Sequence, residues 1–366
     1  MRILAIGQSV RNIACSATRA GHEVIAADFY CDLDLPECAC RVVPIPQPPV
    51  ADEMLDRYIN QLGPDAVVLG PGLETAAVRC AMVLNNPRDL IMKASDKLWL
   101  AGWLGRRGYP HIPTRSVDDA QNFPSVVKPR TGAGGAGCTR VRDQSGLDAA
   151  VQEASAVGEV LVQDWVDGIP ASVSVIGNGK EARAVAVNEQ LIGEGWTGAK
   201  GLRYSGNITP LEASPGLKEE MVDIAEGVAS DLGLIGSNGI DFILAEGGPV
   251  VVEVNPRFQG SLEAVELAHD INIFQAHLES FKGLLPDMPA SHRTAGRAIV
   301  YASRDTIIEE DLRSRIDGIT DVPRIGARIL RDEPMASILA AGPSRGWVFS
   351  MLRDGASRMH HAAVQK

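Results

Sequence analysis

The chain has 366 residues, of which 45% are hydrophobic and 22% are charged. That length exceeds one ordinary core and predicts two or three domains of about 100 to 150 residues each. The 46 acidic and 35 basic residues give a net charge of −11, so no broad basic surface is available to neutralise a nucleic-acid backbone. We expect no nucleic-acid partner, although a few placed Lys and Arg side chains could still hold a nucleotide.

Neither a membrane location nor secretion is predicted. The apolar runs have the length of core strands and fall short of the roughly 18 residues of a membrane span, and no secretory leader opens the sequence. Six scattered cysteines fit a reducing compartment, so we predict a cytoplasmic protein. Cys38 and Cys40 leave open an alternative as a pair of metal ligands, although no second Cys or His pair has zinc-site spacing.

The first 93 residues predict a parallel sheet. MRILAIG, HEVIAAD and PDAVVLGPG have the composition of buried strands, and RNIACSATRAG between the first two has helical spacing and ends at Gly21. The turn GQSVRN has a single glycine and lacks the G-x-G-x-x-G spacing of dinucleotide sites. NAD binding is therefore disfavoured, although Asp28 closes the second strand where a ribose-binding acid would lie.

The middle of the chain alternates short strands with glycine-rich turns. Ser95 or Asp96 can cap a helix that runs to Gly108. SVVKPRTGAGGAGCTRV predicts a strand, a glycine loop and a second strand, EVLVQDWV a further strand, and SVSVIGNGKEARAVAVNEQ a hairpin. Residues 191–210 are glycine-rich without a clean period, which predicts a loop over a site.

The last third begins with an amphipathic helix, SPGLKEEMVDIAEGVASDLGL, for which Ser214 is a plausible cap. SNGIDFIL and PVVVEVNPRF predict strands joined by the turn AEGG. LEAVELAHDINIFQAHLESFKG predicts one further helical run, and a compact tail follows from about residue 291.

The glycine loop has the composition of a phosphate cradle. Its glycines remove side chains, so that backbone N–H groups can turn toward phosphate oxygens, while Lys128 leaves the preceding strand as a point charge. It is not a Walker A loop, because the lysine precedes the glycines and no G-K-[ST] is present. A flexible hairpin is the alternative for this segment by itself. The glycines are Gly132, Gly134, Gly135 and Gly137.

A cluster of oxygen ligands is predicted at the hairpin that follows. Glu253 and Asn255 are two apart on a strand and therefore share a face. If the turn centres on Gly247, Asp241 lies opposite Glu253, and two carboxylates and an amide oxygen suit Mg²⁺ (or Mn²⁺). Arg257 falls on the same face and could bind a phosphoryl group or a carboxylate bidentately. A solvent-facing charged strand is the alternative, and the surrounding valines disfavour it.

These motifs resemble the ATP-grasp superfamily, and in particular the biotin carboxylase and carbamoyl-phosphate synthase branch. SDK with Lys97, VVKPRTGAGGAG with Lys128, LVQDWV, GIDFIL and VEVNPRFQGS occur in the family's order. The resemblance implies an α/β protein of the α+β ATP-grasp type, with a Rossmann-like domain (1–93), a two-lobed ATP-grasp domain (94–290, lid about 114–165) and a small C-terminal α+β domain (291–366).

The resemblance also implies roles for individual residues. Lys97 and Lys128 would hold ATP phosphates under the glycine lid, and the hinge LVQDWV, with Gln163, Asp164, Trp165 and Val166, would hold adenine. Asp241, Glu253 and Asn255 would bind magnesium. Arg257 and Lys128 would act at the reacting centre.

Two positions depart from the family's pattern. Gln163 stands where the hinge often has Glu, and Asp241 replaces a commoner Glu. Where many members have Glu shortly after the hinge, this chain has GIPASVSV, with Ala171 and Ser172. No biotin-accepting M-K-M motif is present, which disfavours carboxylation of biotin.

The resulting hypothesis is an ADP-forming ligase that activates a small-molecule carboxylate as an acyl phosphate and transfers it to an amine. A bicarbonate-activating carboxylase and a non-catalytic nucleotide-binding regulator are the alternatives. A homodimer would be in keeping with the family. Substrate selection is predicted for Arg203, Tyr204 and Asn207, with Gln8, Ser9 and Arg11 on the opposite wall. The sequence does not identify the acid or the amine.

Overall fold

A computed structural model describes residues 1–120, 122–154 and 158–362. Parts of the predicted lid, at 121 and 155–157, and the last four residues of the predicted C-terminal domain lie outside these ranges. Helices and strands alternate through most of the described chain, and the predicted α/β class is confirmed. The predicted domain boundaries stay a prediction. None of the described helices is long and apolar enough to cross a membrane.

The N-terminal part forms a four-stranded parallel sheet with the order β3-β2-β1-β4. Its strands are β1 (Arg2–Gly7), β2 (Glu23–Asp28), β3 (Arg41–Pro44) and β4 (Ala66–Leu69), and its helices are α1 (Arg11–Arg19) and α2 (Asp52–Leu62). In β1 and β2 every residue after the first is buried. Continuous burial without alternation is typical of parallel strands covered on both faces. The predicted strand–helix–strand opening is confirmed.

The Asp28 side chain, at the end of β2, is held in place by backbone hydrogen bonds. Its carboxylate accepts hydrogen bonds from the backbone N–H groups of Val10 at 2.6 Å and Cys31 at 2.7 Å. Burial raises the pKa of Asp28 to about 6, and these two bonds partly oppose that rise. Asp28 therefore stabilises the turn after β1. This structural role gives no support to the alternative that the domain binds a dinucleotide.

Cys15 of α1 forms a disulfide with Cys38. Cys38 therefore has no thiolate to offer a metal ion, which excludes the alternative of a Cys38 and Cys40 metal site. A disulfide is uncommon in a reducing compartment, and the cytoplasmic location stays a prediction.

A second, smaller sheet follows two helices. The helices are α3 (Arg88–Ser95) and α4 (Lys97–Arg107), and the sheet contains β5 (Thr114–Ser116), β6 (Ser125–Pro129), β7 (Thr139–Val141) and β8 (Val160–Asp164), with α5 (Gln144–Ala154) beside them. The strand order is β5-β8-β6-β7, and all pairs are antiparallel. Of the two predicted caps, Asp96 is the one that accepts hydrogen bonds from the first turn of α4, and the helix ends at Gly108 as predicted.

The largest sheet has eight strands in the order β13-β12-β9-β10-β11-β14-β18-β16. Strands after residue 290 thus extend the same sheet. Its strands are β9 (Ile169–Asn178), β10 (Ala182–Ile192), β11 (Tyr204–Thr209), β12 (Ile235–Ala245), β13 (Gly248–Asn255), β14 (Thr294–Tyr301), β16 (Ile319–Thr320) and β18 (Pro334–Gly342), while β15 (Thr306–Ile307) and β17 (Arg328–Ile329) pair separately.

The accompanying helices are α6 (Pro215–Leu232), α7 (Leu262–His269), α8 (Ile273–Ser280) and α9 (Arg345–Ala362). One helical run was predicted over α7 and α8, and this is wrong. Asp270 adopts a left-handed φ of 55°, and the Asn272 side chain caps α8 by accepting a hydrogen bond from Gln275 N. A residue with positive φ cannot continue a right-handed helix.

The predicted loop over 191–210 is only partly right, because 204–209 form β11 within the sheet. Gly206 explains why no strand pattern is visible. It has a φ of +136°, and a Cβ there would lie 1.9 Å from the carbonyl oxygen of Arg297 on β14. The strand therefore needs glycine where a side chain would reveal the alternation.

A buried ion network joins the N-terminal sheet to the rest of the protein. Arg11, 4% exposed, donates to Glu263 at 2.6 Å and to Asp321 at 2.8 Å, and lies 3.3 Å from Asp34. Burial would raise the pKa of Asp321, but the guanidinium groups of Arg11 and Arg297 hold it below its usual range. Three segments distant in sequence are thereby fixed together.

The Arg11→Ala variant is expected to lose about 3 to 5 kcal/mol of unfolding free energy, because three buried carboxylates then share Arg297 as their remaining counter-charge in the network. Urea denaturation would measure the loss. Arg2→Ala is the matched control, since the Arg2–Glu23 pair is about half exposed on both sides and should contribute below about 1 kcal/mol. Equal losses in the two variants would contradict this account.

Candidate active site

A cleft of about 550 Å³ lies between the small antiparallel sheet and the large sheet, with residues of the N-terminal sheet on a third side. It contains every residue predicted to bind ATP, bind the metal or act at the reacting centre except Gly137, which lies against Pro129. Those that line it are Lys97, Lys128, Gly132, Gly134, Gly135, Gln163, Asp164, Trp165, Val166, Asp241, Glu253, Asn255 and Arg257. Motifs spread over 160 residues of sequence therefore meet in one place.

Lys128 is a buried cation near the end of β6. Its Nζ donates to Oε1 of Gln163 at 2.7 Å, and the Gln163 amide in turn donates to Thr114 Oγ1 at 2.8 Å. Burial lowers the pKa of Lys128 to about 8, and Lys97 adds to that effect while Glu253 opposes it. The lysine is thus poised to gain charge stabilisation from an anionic ligand.

Lys97 is the first residue of α4 and joins the glycine loop to an acid. Its Nζ donates to the carbonyl oxygen of Gly132 at 2.9 Å and lies 3.7 Å from Oε2 of Glu253. The preceding Asp96 caps the helix and also forms an ion pair with Arg130 at 2.6 Å. The cap and the ion pair fix the direction in which Lys97 leaves the helix.

The glycine loop between β6 and β7 closes against residues 202–204. Gly134 accepts a hydrogen bond from Tyr204 N at 3.0 Å. Gly135 has a φ of +71°, and a Cβ there would lie 2.0 Å from the carbonyl oxygen of Leu202. The loop therefore connects the two strands of a hairpin, which was the alternative interpretation of this segment. It also covers the cleft.

The segment from Gln163 to Val166 crosses the back of the cleft. Asp164 makes a bidentate ion pair with Arg115, at 2.8 and 3.0 Å, and Trp165 donates from its indole to Asp167 at 2.6 Å. Apolar side chains complete this end of the cleft: Ile112, Val126, Leu202, Phe242 and Ile243. An apolar slot lined by these side chains and by backbone groups suits a planar heterocycle.

Asp241 of β12 lies directly opposite Glu253 of β13, as predicted. The reason differs from the predicted one. The hairpin turn contains only Glu246 and Gly247, which alone would pair Asp241 with Val252, and a β-bulge at Val252 shifts the register by one residue. The bulge therefore decides which side chain faces Asp241.

The acids form a close group with Asn255. The Asn255 amide donates to Oδ2 of Asp241 at 3.0 Å. Burial raises the pKa of Asp241 to about 8, the neighbouring Glu253 adds to that rise, and hydrogen bonds from Gln190 and Asn255 partly offset it. A divalent cation between the two side chains would relieve the cost of ionising Asp241 beside Glu253.

The donor set fits Mg²⁺. Two carboxylates and an amide oxygen are hard ligands in the number that Mg²⁺ commonly takes from protein. Within the described ranges, no group of three or more His, Cys, Asp or Glu could hold a metal ion. Of the two residues singled out after the hinge, Ser172 pairs across the strands with Asp241 and lines the cleft, whereas Ala171 is fully buried.

Arg257 follows β13 and faces the N-terminal sheet. Its Nη1 donates to the carbonyl of Phe258 at 3.1 Å, and its Nη2 lies 3.5 Å from Oδ1 of Asn255. Its Nε lies 3.3 Å from Oε1 of Glu74, a residue that the sequence did not single out.

The predicted substrate-selecting residues divide into two groups. Tyr204 and Ser9 line the cleft. The others are engaged elsewhere: Arg203 stacks on the Tyr301 ring at 4.7 Å, Gln8 donates to Tyr30, Arg11 belongs to the ion network, and Asn207 accepts from Tyr204 Oη beneath the surface.

Several polar residues of the cleft were missed by the sequence reasoning. They are Asn12, Gln190, Gln259, Ser261 and Arg297. Arg297 had a visible signal, since a charged side chain within the apolar strand GRAIVY is the same anomaly that singled out Arg257. Gln259 and Ser261 lie in the turn just after the predicted arginine.

Comparison with known proteins assigns the class. Residues 94–261 match the family model described as ATP-grasp domain, a stretch that begins just before Lys97 and ends at Ser261. This stretch matches ATP-grasp domains, as the motifs predicted, and the ligase activity stays a proposal.

The individual relatives have low sequence identity to this chain. The chain is 27% identical over 268 residues to an uncharacterized protein of Methanocaldococcus jannaschii, covering 70% of this chain and 63% of that protein. It is 24% identical to the carbamoyl phosphate synthase arginine-specific large chain of Geobacillus stearothermophilus over 61% of this chain and 22% of that one. It is 23% identical to the formate-dependent phosphoribosylglycinamide formyltransferase of Herminiimonas arsenicoxydans, over 88% of this chain and 82% of that protein. The chain thus spans less than two thirds of the length of the first two.

Two solved structures share the fold over nearly the whole chain. The biotin carboxylase domain of Hydrogenobacter thermophilus 2-oxoglutarate carboxylase, in complex with MgADP and bicarbonate, has a TM-score of 0.78 and 16% identity over 97% of this chain and 89% of that one. The L-amino acid ligase of Bacillus licheniformis has a TM-score of 0.72 and 19% identity over 98% and 97%. At these low sequence identities, the structural similarity shows the fold of this chain alone.

Proposed function

We propose that this chain catalyses an ADP-forming ligation, in which a substrate carboxylate is activated as an acyl phosphate by ATP and then transferred to an amine. The observation that carries the proposal is the facing pair Asp241 and Glu253, with Arg257 at the end of the same strand and Lys97 3.7 Å from Glu253. A binding-only protein has no need of an arginine beside paired acids at the phosphate end of a nucleotide cleft.

The nucleotide would be held by groups that already converge. The apolar slot takes the adenine, and Oε1 of Gln163 keeps a second lone pair for an amino group after accepting from Lys128. Lys97, Lys128 and the N–H groups of the glycine loop face the phosphates. Asp241, Glu253 and Asn255 would hold Mg²⁺, which supplies charge neutralisation on the phosphate oxygens when bound.

Acyl transfer then depends on orientation and on the exclusion of water. Arg257 orients the substrate carboxylate, whose oxygen forms a bond to the γ-phosphorus while the bond to ADP breaks. The closed glycine loop keeps water from the acyl phosphate until the amine attacks its carbonyl carbon and phosphate departs. No side chain of the protein forms a covalent bond in this scheme.

The test is a hydroxylamine trap. The protein, ATP and Mg²⁺ are incubated with formate, bicarbonate or pooled common amino acids, with hydroxylamine as a general acceptor, and ADP and hydroxamate are measured. Carboxylate-dependent formation of both is expected. ADP release that depends on bicarbonate alone, without hydroxamate, would favour a carboxylase, and the absence of ADP release with every pool would remove the ligase proposal.

ATP affinity is expected to fall as pH rises through about 8. In the free protein the pKa of Lys128 is lowered to about 8 by burial, and bound phosphates would raise it again. The interaction is therefore fully present below about pH 8 and weakens above it, by up to about tenfold per pH unit until the pKa of the complex is reached.

Calorimetry in two buffers of different ionisation enthalpy would reveal this change as proton uptake on ATP binding above that pH and little uptake one unit below it. Lys128→Gln is the control and should lose the uptake. A wild-type affinity that stays constant through this range would show that Lys128 does not contact the phosphates.

A further inference from the structure

An amine acceptor needs a counter-charge while it waits for the acyl phosphate. Among the described residues that line the cleft, the acids are Asp164, Asp241 and Glu253. Asp164 is held bidentately by Arg115, and the other two are the magnesium candidates. Each acid that lines the cleft therefore already has a partner or a proposed ligand. A carboxylate from just outside the cleft must then supply the counter-charge for the ammonium group.

Glu74 is placed for this task. It follows β4, at the carboxyl end of the parallel sheet, where side chains of doubly wound folds meet their ligands. Its Oε1 lies 3.3 Å from Nε of Arg257, and its side chain keeps 19% of its surface exposed. Pro71, three residues earlier in the same turn, lines the cleft together with Ser9 and Asn12.

The turn that presents Glu74 is firmly held. Leu73 is 2% exposed and donates its backbone N–H to the carbonyl of Gly70 at 3.1 Å. The following Thr75 accepts a hydrogen bond from Arg88 Nε at 2.7 Å. A carboxylate on such a turn has a defined position relative to Arg257, which is what an orienting group requires.

We propose that Glu74 binds the ammonium group of the acceptor amine and removes a proton from it. This inference rests on the ligase function proposed above. With the substrate carboxylate at Arg257 and the amine at Glu74, the two reactants become neighbours at one ion pair. The N-terminal sheet then supplies the acceptor half of the reaction, and the ATP-grasp domain supplies the activating half.

The proton balance is simple. An ammonium nitrogen has no lone pair, so one proton passes to the Glu74 carboxylate and from there to solvent. The lone pair freed on nitrogen attacks the carbonyl carbon and forms the C–N bond. The C–O bond to phosphate breaks, and phosphate leaves with the electron pair of that C–O bond. The second proton of the nitrogen passes to the departing phosphate.

Glu74→Gln is the decisive variant, because it keeps the shape of the side chain and removes its charge. With the carboxylate found in the hydroxylamine trap, we expect the KM for amines (common amino acids, ethanolamine and putrescine) to rise about tenfold to a hundredfold. Hydroxylamine is uncharged near neutral pH and needs no counter-ion, so hydroxamate formation and the KM values for ATP and carboxylate should stay within about twofold. Glu74→Asp should restore part of the amine affinity, and Glu53→Gln, at an exposed position of α2, should behave as wild type.

The outcomes separate the two proposals. If wild type makes no hydroxamate with any carboxylate, the ligase function fails, and this inference fails with it. If wild type makes hydroxamate and amide but Glu74→Gln leaves the amine KM unchanged, or raises the carboxylate KM instead, Glu74 merely positions Arg257 and the inference alone is overturned.

Discussion

Glu253→Gln is expected to lower ATP-dependent turnover by about a hundredfold or more. Glu253 faces Asp241 across the bulged hairpin and lies 3.7 Å from Lys97 Nζ. The variant keeps the side chain's size and removes one of two carboxylates that would hold the cation, and loss of an electrostatic group at the transferring phosphate typically costs factors of this order. Initial rates of ADP release at saturating carboxylate would measure it.

Two comparisons make this result specific. Glu246→Gln alters an exposed acid in the turn of the same hairpin and should leave turnover unchanged. Thermal unfolding of Glu253→Gln should still show a cooperative transition, so that the loss of turnover is not a loss of the fold. Turnover within threefold of wild type would mean that the facing acids are not the metal site.

Gly135→Ala is expected to reduce product formation about a hundredfold and to raise the ratio of ADP to product. A Cβ at Gly135 would lie 2.0 Å from the carbonyl oxygen of Leu202, and the backbone φ of +71° is itself unfavourable for alanine. The loop then cannot close as it does against residues 202–204. Misplacement of a lid by about 1 Å can cost this much, and an open lid admits water to the acyl phosphate.

Gly134→Ala is the matched control for the lid. Gly134 also has a positive φ, +66°, but nothing lies within 4 Å of its added Cβ. It carries the same backbone strain of about 1 to 2 kcal/mol without the collision, so a few-fold effect is expected. Measurement of ADP and product in parallel would distinguish the two variants, and equal effects would attribute the loss to strain alone.

The proposed ATP-binding part of the site was largely visible in the sequence. Lys128 precedes its glycine loop within one short segment, and Glu253 and Asn255 lie two apart on one strand. Such spacing fixes which side chains share a face whatever the rest of the protein does. The residues predicted to bind ATP and the metal accordingly line one cleft, with the exception of Gly137.

In two places, a contact with a distant part of the chain decided what the local pattern left open or hid. Residues 204–209 form a strand because neighbouring strands supply their hydrogen bonds on both sides, although Gly206 hides the alternation. Cys38 is bonded to Cys15, and its nearer neighbour Cys40 is free. In both cases the deciding partner lies elsewhere in the chain.

The sequence by itself determined the local structure of the proposed phosphate-binding half, because glycine loops, helix caps and strand periodicity act over a few residues. Only the tertiary structure decided what surrounds the reacting centre. The bulge at Val252 sets Asp241 against Glu253, and the packing of the N-terminal sheet brings Glu74 to Arg257. Such juxtapositions depend on how whole sheets pack, and no short-range pattern encodes them.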